Sequence, residues 1–338
     1  MSWNPSAKVV MSGVQNLLIL SSKSETLDSA KQSKENKMKT KLSFTVASAI
    51  LMLLSACGMA AVSGSGHIVE EARDVRDYSQ VVFSAPGELT IEQNGSEGLV
   101  IEADDNLLGY IQTGVKGDIL YIYVEPEVVQ LYPSRPFRYS LDAGTLTRVA
   151  LNGSGDIRSD ELIASHLDFD LNGSGQILID AVKSQTTKLG LDGSGEFKVG
   201  SLITGQLTAS LNGSGHVVMQ EALVKTVAVE IDGSGTLRAT DVIADTLDMT
   251  VNGSGNSTLS GKANRQTINI HGSGSYQAQD LLSQEANVKI IGSGDSFIWV
   301  TDELSLTIAG SGDVTYHGQP VITQTITGSG DLIRLAKQ

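Results

Sequence analysis

From Leu151 onward the chain carries ten Gly-Ser-Gly triplets, and the residues beside them are the first candidates for chemistry. Behind the triplets stand Asp156, Gln176, Glu196, His216, Thr236, Asn256, Ser275, Asp295, Asp313 and Asp331. A row of carboxylates could hold calcium, but Gln, His and Thr interrupt it and the GGxGxDxUx spacing of calcium-binding rolls is missing. A glycine cradle could hold phosphate, yet no GxxxxGK[ST] follows and no Lys is placed to meet the phosphate. His67, His166, His216, His271 and His317 show neither HExxH nor HxH spacing, and no GxSxG is present. Asp168 with Asp170, or Asp241 with Asp245, could be drawn as acid pairs, though such pairs arise by chance in an acidic chain. The sequence therefore predicts no enzyme: no catalytic residue, no metal site and no cofactor.

Cys57 is the only cysteine, so neither a disulfide nor a thiolate cluster competes for it. It closes the stretch MKTKLSFTVASAILMLLSAC, which starts at Met38 with Lys39 and Lys41 and continues through an apolar run from Leu42 to Leu54. That run is too short to span a membrane and suits a secretory signal. The final LSAC resembles the lipobox of bacterial lipoproteins, which implies lipidation of Cys57 and a lipid anchor in the membrane. With Gly58 rather than Asp next, the resemblance implies the outer membrane of a Gram-negative cell envelope. Residues 1–37 read as an over-extended or disordered leader, 38–57 as the lipoprotein signal peptide, and 58–66, GMAAVSGSG, as a flexible tether.

The formal net charge of the chain is −14, and without residues 1–57 the 24 basic and 38 acidic residues fall to 17 and 35, about −18. Such a surface argues against nucleic acid as a partner.

The elements that position the triplets follow from their spacing. The first glycines lie at 153, 173, 193, 213, 233, 253, 272, 292, 310 and 328, a period of twenty that drifts only to 18 or 19 late in the chain. Apolar residues alternate before each triplet, as in Leu167, Phe169, Leu171 or Leu247, Met249, Val251, and again after it, as in Phe197 and Val199. Period-two alternation on both sides of a turn means strand, turn, strand with one face inward. Hairpins would not need a constant register, whereas a solenoid does, because each residue stacks on its copy in the next coil. The fold class is all-β: a right-handed parallel β-helix, or β-solenoid, of about 20 residues per coil over residues 151–338, preceded by a less regular β segment over 67–150.

In that segment short strands are expected at 78–83, 88–93, 98–103, 111–115 and 119–124, with Glu125 to Phe137, rich in proline, as the long loop. The segment should cap one end of the solenoid, and Arg334 with Lys337 should discourage addition at the other.

Within the triplets the turn residues are Asn152, Gly153, Gly155; Asn172, Gly173, Gly175; Asp192, Gly193, Gly195; Asn212, Gly213, Gly215; Asp232, Gly233, Gly235; and Asn252, Gly253, Gly255. Glycine is expected there for a positive φ, Asn and Asp for a side-chain ladder, and Ser154, Ser174 and Ser194 for bonds within the turn. The row decays to His271, Ile291, Ala309 and Thr327, which a corner tolerates and a chelating site would not.

The run VVFSAPGELTIEQNGSEGLVIEADDNLLGYIQTGVKGDILYIYVE, residues 81–125, followed by LTRVALNGSGDI, resembles the head GIN domain family of auto-transporter adhesins. The resemblance covers residues 67–338 and implies an exported β-helical protein, with no catalytic residues to carry over. Here Ala85-Pro86-Gly87 stands where a different turn is more usual in the family.

The reading that follows is a non-catalytic lipoprotein, an adhesin or envelope scaffold, with an unknown protein or glycan partner. A glycan-binding or glycan-active helix is the alternative, for which Tyr276, Trp299 and Tyr316 are the late-coil candidates. An envelope-sensing lipoprotein is a third. The oligomeric state is left open.

Overall fold

The computed structural model describes residues 60–125 and 129–336. Cys57, the signal peptide and the leader lie outside the described residues, as does Lys337. The described residues from Ala61 onward form one compact unit.

The first strands are β1 (Ala60–Ser63), β2 (Ile68–Arg73), β3 (Gln80–Ser84), β4 (Glu88–Glu92), β5 (Gly98–Asp104), β6 (Ile111–Lys116), β7 (Ile119–Val124), β8 (Val129–Tyr132) and β9 (Arg138–Asp142). The coils follow as β10 (Arg148–Gly153), β11 (Asp156–Ile163), β12 (His166–Gly173), β13 (Gln176–Gly193), β14 (Glu196–Gly213), β15 (His216–Gly233) and β16 (Thr236–Gly253). They end with β17 (Asn256–Gly272), β18 (Ser275–Gly292), β19 (Asp295–Gly310), β20 (Val314–His317), β21 (Val321–Gly328) and β22 (Leu332–Arg334). The result is the expected parallel β-solenoid of about nine turns.

Each inward residue stacks on its own copy. Leu151 pairs with Leu171, Leu171 with Leu191, Leu191 with Leu211, Leu211 with Ile231 and Ile231 with Val251, in one unbroken register. Burying an aliphatic side chain of this size contributes roughly 1.5–3 kcal/mol, so the repeat multiplies a modest gain. The inward phase shifts twice per coil. In β14 the buried positions are Phe197 and Val199, then Leu202 and Thr204, then Leu207, Ala209 and Leu211, with two successive outward residues between the groups. Two outward residues in a row mark a corner, so each coil has three walls. One leads into the Gly-Ser-Gly corner, one leaves it, and a narrow third wall lies between. The third wall is a departure from the expected strand, turn, strand.

The drift in period has a local cause. Register shifts fall between Ala239 and Val242, Thr258 and Ser260, and Ala278 and Leu282, at the corner into the narrow wall, and between Ser283 and Glu285, at the corner out of it. Gly261, at φ 121°, absorbs the first of them, since its Cβ would lie 2.2 Å from the Val242 carbonyl oxygen.

The N-terminal segment forms the strands expected at 78–83, 88–93, 98–103, 111–115 and 119–124 to within a few residues, as β3 to β7. Its threading is out of chain order. β3 pairs in parallel with β10 on one side and β7 on the other, and β4 with β11 and β9. β6 lies antiparallel to β7, β5 antiparallel to β9, and β2 antiparallel to β5. The Pro-rich loop contains a strand, β8, which forms a two-stranded sheet with β1.

That pairing changes the expectation of a free tether over 58–66. The fully buried Asp104 accepts the Gly66 N–H at 2.8 Å, the Ser134 N–H at 2.9 Å and the Ser134 hydroxyl at 2.6 Å. Asn106 donates to the Ser63 carbonyl at 2.9 Å and accepts the Ser65 N–H at 2.9 Å. The chain can lie this close because Gly64 has no side chain: a Cβ there would stand 2.3 Å from the Asp104 carboxylate.

Candidate binding surface

The Gly-Ser-Gly corners are built as scaffolding. The first glycine of each has positive φ, from 106° at Gly153 to 141° at Gly310. The second does not, which narrows the expectation. Gly155, Gly175, Gly195, Gly215 and Gly235 are buried, and a Cβ on Gly175 would stand 2.1 Å from the Gly155 carbonyl oxygen. Contact with the neighbouring coil, not φ, excludes a side chain there. The central serine acts through its backbone: Ser174 N–H donates to the Gly153 carbonyl and Ser194 N–H to that of Gly173, each at 2.9 Å, while both side chains are exposed.

The Asn ladder forms on the outside of this corner. Asn172 donates to Asn152 at 3.1 Å, Asn212 to Asp192 at 2.6 Å and Asn252 to Asp232 at 2.7 Å. Asn152 continues it to Ser84 at 3.0 Å, because Ser84-Ala85-Pro86-Gly87 occupies the same corner in the preceding coil. Behind the triplets, the last aspartates bracket one another: Asp313 N–H donates to Asp295 at 3.0 Å and Asp331 N–H to Asp313 at 2.8 Å.

The two acid pairs disperse. Asp170 receives Arg148 at 2.7 Å. Asp168 lies 2.9 Å from His166 Nε2, whose Nδ1 is 2.7 Å from the Thr186 hydroxyl. Hydroxyl, imidazole and carboxylate stand in a row, but on the outward side of the wall that leads into the corner, with the His166 and Asp168 side chains 42% and 31% exposed. Asp245 receives Asn264 at 3.2 Å, and Asp241 sits in a left-handed corner at φ 50°.

Two of the three aromatic candidates belong to the core. Tyr276 is 0% and Tyr316 7% exposed, so neither ring can meet a glycan. Trp299 lines a cavity of about 580 Å³ with Gly318, Gln319, Arg334, Leu335 and Ala336.

The most distinctive surface was not anticipated. On the outside of the narrow wall, Ile203, Leu223 and Ile243 pair in register through consecutive coils. They are 43%, 52% and 57% exposed, and Ile163, two coils earlier in the same row, is 48% exposed. Lys183 and Lys262 bracket the three. One shallow groove beside this ridge runs along Gly205, Lys225 and Asp245, and another along Ser201, Glu221 and Asp241. A sequence signal existed: Leu202-Ile203-Thr204, Ala222-Leu223-Val224 and Val242-Ile243-Ala244 put a large aliphatic between two inward positions at a period of twenty.

A solenoid of Gly-Ser-Gly corners closed by antiparallel strands at its N-terminal end defines an all-β repeat protein. The chain belongs to the family described as “Putative auto-transporter adhesin, head GIN domain”, whose sequence model matches residues 77–242 and again 210–320. No curated protein matches it. Among solved structures it is similar to a “putative lipid binding protein” from Parabacteroides distasonis, at 21% identity over 82% of this chain and 100% of that one, TM-score 0.47. It is likewise similar to a “putative adhesin” from Parabacteroides merdae, at 21% identity, 82% and 100% coverage and TM-score 0.45. A third such structure, from Bacteroides fragilis, has 17% identity, 81% and 100% coverage and TM-score 0.39.

Proposed function

We propose that this protein is a non-catalytic adhesin of the cell envelope, lipidated at Cys57 in the outer membrane, that holds a protein partner along its narrow wall. The observation that carries the reading is the aligned ridge of Ile203, Leu223 and Ile243, each more than two fifths exposed. Contiguous exposed aliphatics cost solubility unless a partner covers them, and they commonly mark contact sites. Glu221 and Asp241 line one groove beside the ridge, Lys225 and Asp245 line the other, and Lys183 and Lys262 bracket the ridge, so the surface favours a partner with an apolar strip flanked by charges of both signs. Cells carrying Leu223→Lys with Ile243→Lys should lose attachment and partner capture while keeping normal amounts of folded protein. Unchanged attachment and capture would remove the ridge from the reading, and protease resistance of the protein on intact cells would remove the surface location.

The cavity beside Trp299 and Arg334 favours a glycan as the second reading. An indole lining and a guanidinium suit a sugar ring with polar substituents. A glycan array without hits would dismiss it.

A further inference from the structure

The two ends of the solenoid differ. At the N-terminal end the coil of β7 and β9 is covered by antiparallel β6 and β5. At the other end β22 pairs with β20, and Arg334 there donates to the Gly318 carbonyl at 3.1 Å, whereas β21 pairs with β19 and no strand lies on its other side among the described residues. Its inward row is Ile322, Gln324 and Ile326, stacked on Leu304, Leu306 and Ile308. The residues below are buried, at 0%, 2% and 0% exposure, whereas Ile322 is 36% exposed and Gln324 is open to solvent. The core thus ends uncovered at Ile322 and Gln324, while Ile326 and, on β22, Leu332 are half-buried against it.

The direction of the free backbone groups can be read from the ladder. Ser329 donates its N–H back to Gly310 at 2.9 Å. Successive residues of a strand point their N–H and C=O to opposite sides, so Thr323, Thr325 and Thr327 face β19, and Ile322, Gln324 and Ile326 face away from it. The row that tops the core, Ile322, Gln324 and Ile326, is also the row whose backbone groups are unpaired.

The edge reads Ile322-Thr323-Gln324-Thr325-Ile326, the same in both directions. We infer that a second copy of this chain pairs with it, antiparallel, about a two-fold axis through Gln324 and normal to the wall. In that register Ile322 meets Ile326 of the second copy, Thr323 meets Thr325, and each Gln324 meets itself. About six backbone bonds form from the outward N–H and C=O groups. Aliphatic meets aliphatic on the inward side and threonine meets threonine on the outward side, both favourable cross-strand pairs. The Gln324 amide, the one polar group of its row at the open end, meets an amide that can both donate to it and accept from it. The contact is isologous, so it closes at two copies and uses both open ends. A head-to-tail stack is opposed by the antiparallel strands over the other end.

The test is the mass of the purified full chain by sedimentation, corrected for bound detergent, with the wild type and three variants. Ile326→Lys puts a charge opposite Ile322 of the second copy, and Gln324→Pro removes an outward N–H without touching a bond to β19. Both should yield monomers with an unchanged circular dichroism spectrum, while Leu223→Lys on the lateral ridge should remain dimeric. Amide exchange gives a second readout that stands even if one variant misfolds. In the wild type the amides of Ile322, Gln324 and Ile326 should be protected together with those of Thr323 and Thr325, and in Ile326→Lys only the threonine pair should stay protected. A wild-type monomer, a dimer that survives both edge variants, or a dimer lost on Leu223→Lys overturns the inference.

Discussion

Tyr276 donates its hydroxyl to Gln266 Oε1 at 2.6 Å, and both side chains are fully buried. The ring fits because its stacking neighbours are small: Ser257 lies on one side and Ser296 on the other. Burial pushes the Tyr276 hydroxyl far above its ordinary pKa, so it stays a donor across the physiological range. Tyr276→Phe leaves the Gln266 oxygen without its donor and should cost about 1–3 kcal/mol in urea unfolding. The double variant with Gln266→Leu should cost less than the two single changes together, because it removes both partners.

Gly193 combines a φ of 122° with a Cβ position 2.5 Å from the Gly173 carbonyl oxygen. Gly193→Ala should therefore destabilise by at least about 2 kcal/mol, from backbone strain and the clash together. Gly98→Ala is the control, since nothing stands within 4 Å of its Cβ position and its φ is not positive. Thermal melts of the pair distinguish a requirement for glycine from mere abundance of it.

Asp104 sets the acid limit of the strap over residues 60–66. The Ser134 hydroxyl, then backbone N–H groups of Ser134 and Gly66, hold its carboxyl below the ordinary value of 3.8. The charged form is thus favoured in the folded state, so the stabilisation is present above about pH 4 and is lost as pH falls through the lowered folded value. Amide exchange at Gly66 and Ser134 should rise below pH 4, and Asp104→Ala should show the same loosening already at pH 7. Equal protection in wild type and variant at pH 7 would show that β1 and β8 alone hold the strap.

Palmitate labelling should mark the wild type and spare Cys57→Ala, since no other thiol exists in the chain. Equal labelling of both would refute acylation at Cys57.

The solenoid was legible because its signal is repeated: alternate apolar residues at a period of twenty state the walls next to the corner many times over. The narrow wall was less legible, since only two inward residues per coil, such as Leu202 and Thr204, carry it, and one of them is polar. The corner at Ser84 to Gly87 could not be matched to Asn-Gly-Ser-Gly from residue types alone, because Pro86 stands where the repeats have serine and only the register of β3 and β4 aligns them. Asp104 gave no local cue either: its partners Gly66 and Ser134 are 38 and 30 residues away. The ridge was missed for the opposite reason, as Ile203 and Leu223 look like core residues until their phase is known.

The out-of-order threading of β3 and β4 between β7, β9 and the later coils makes the N-terminal part an indivisible unit, whereas each later coil touches only the one before and the one after it. Excision of residues 196–215, one coil containing β14, would set β15 directly on β13, with His216 on Gln176 and Gly233 on Gly193, so a shortened protein should fold with its corners intact. Two overlapping matches of one family model to a single chain fit the same arithmetic. Reach, then, is an adjustable dimension of this molecule, changed in whole steps of one strand spacing, about 4.8 Å, without altering what lies at either end.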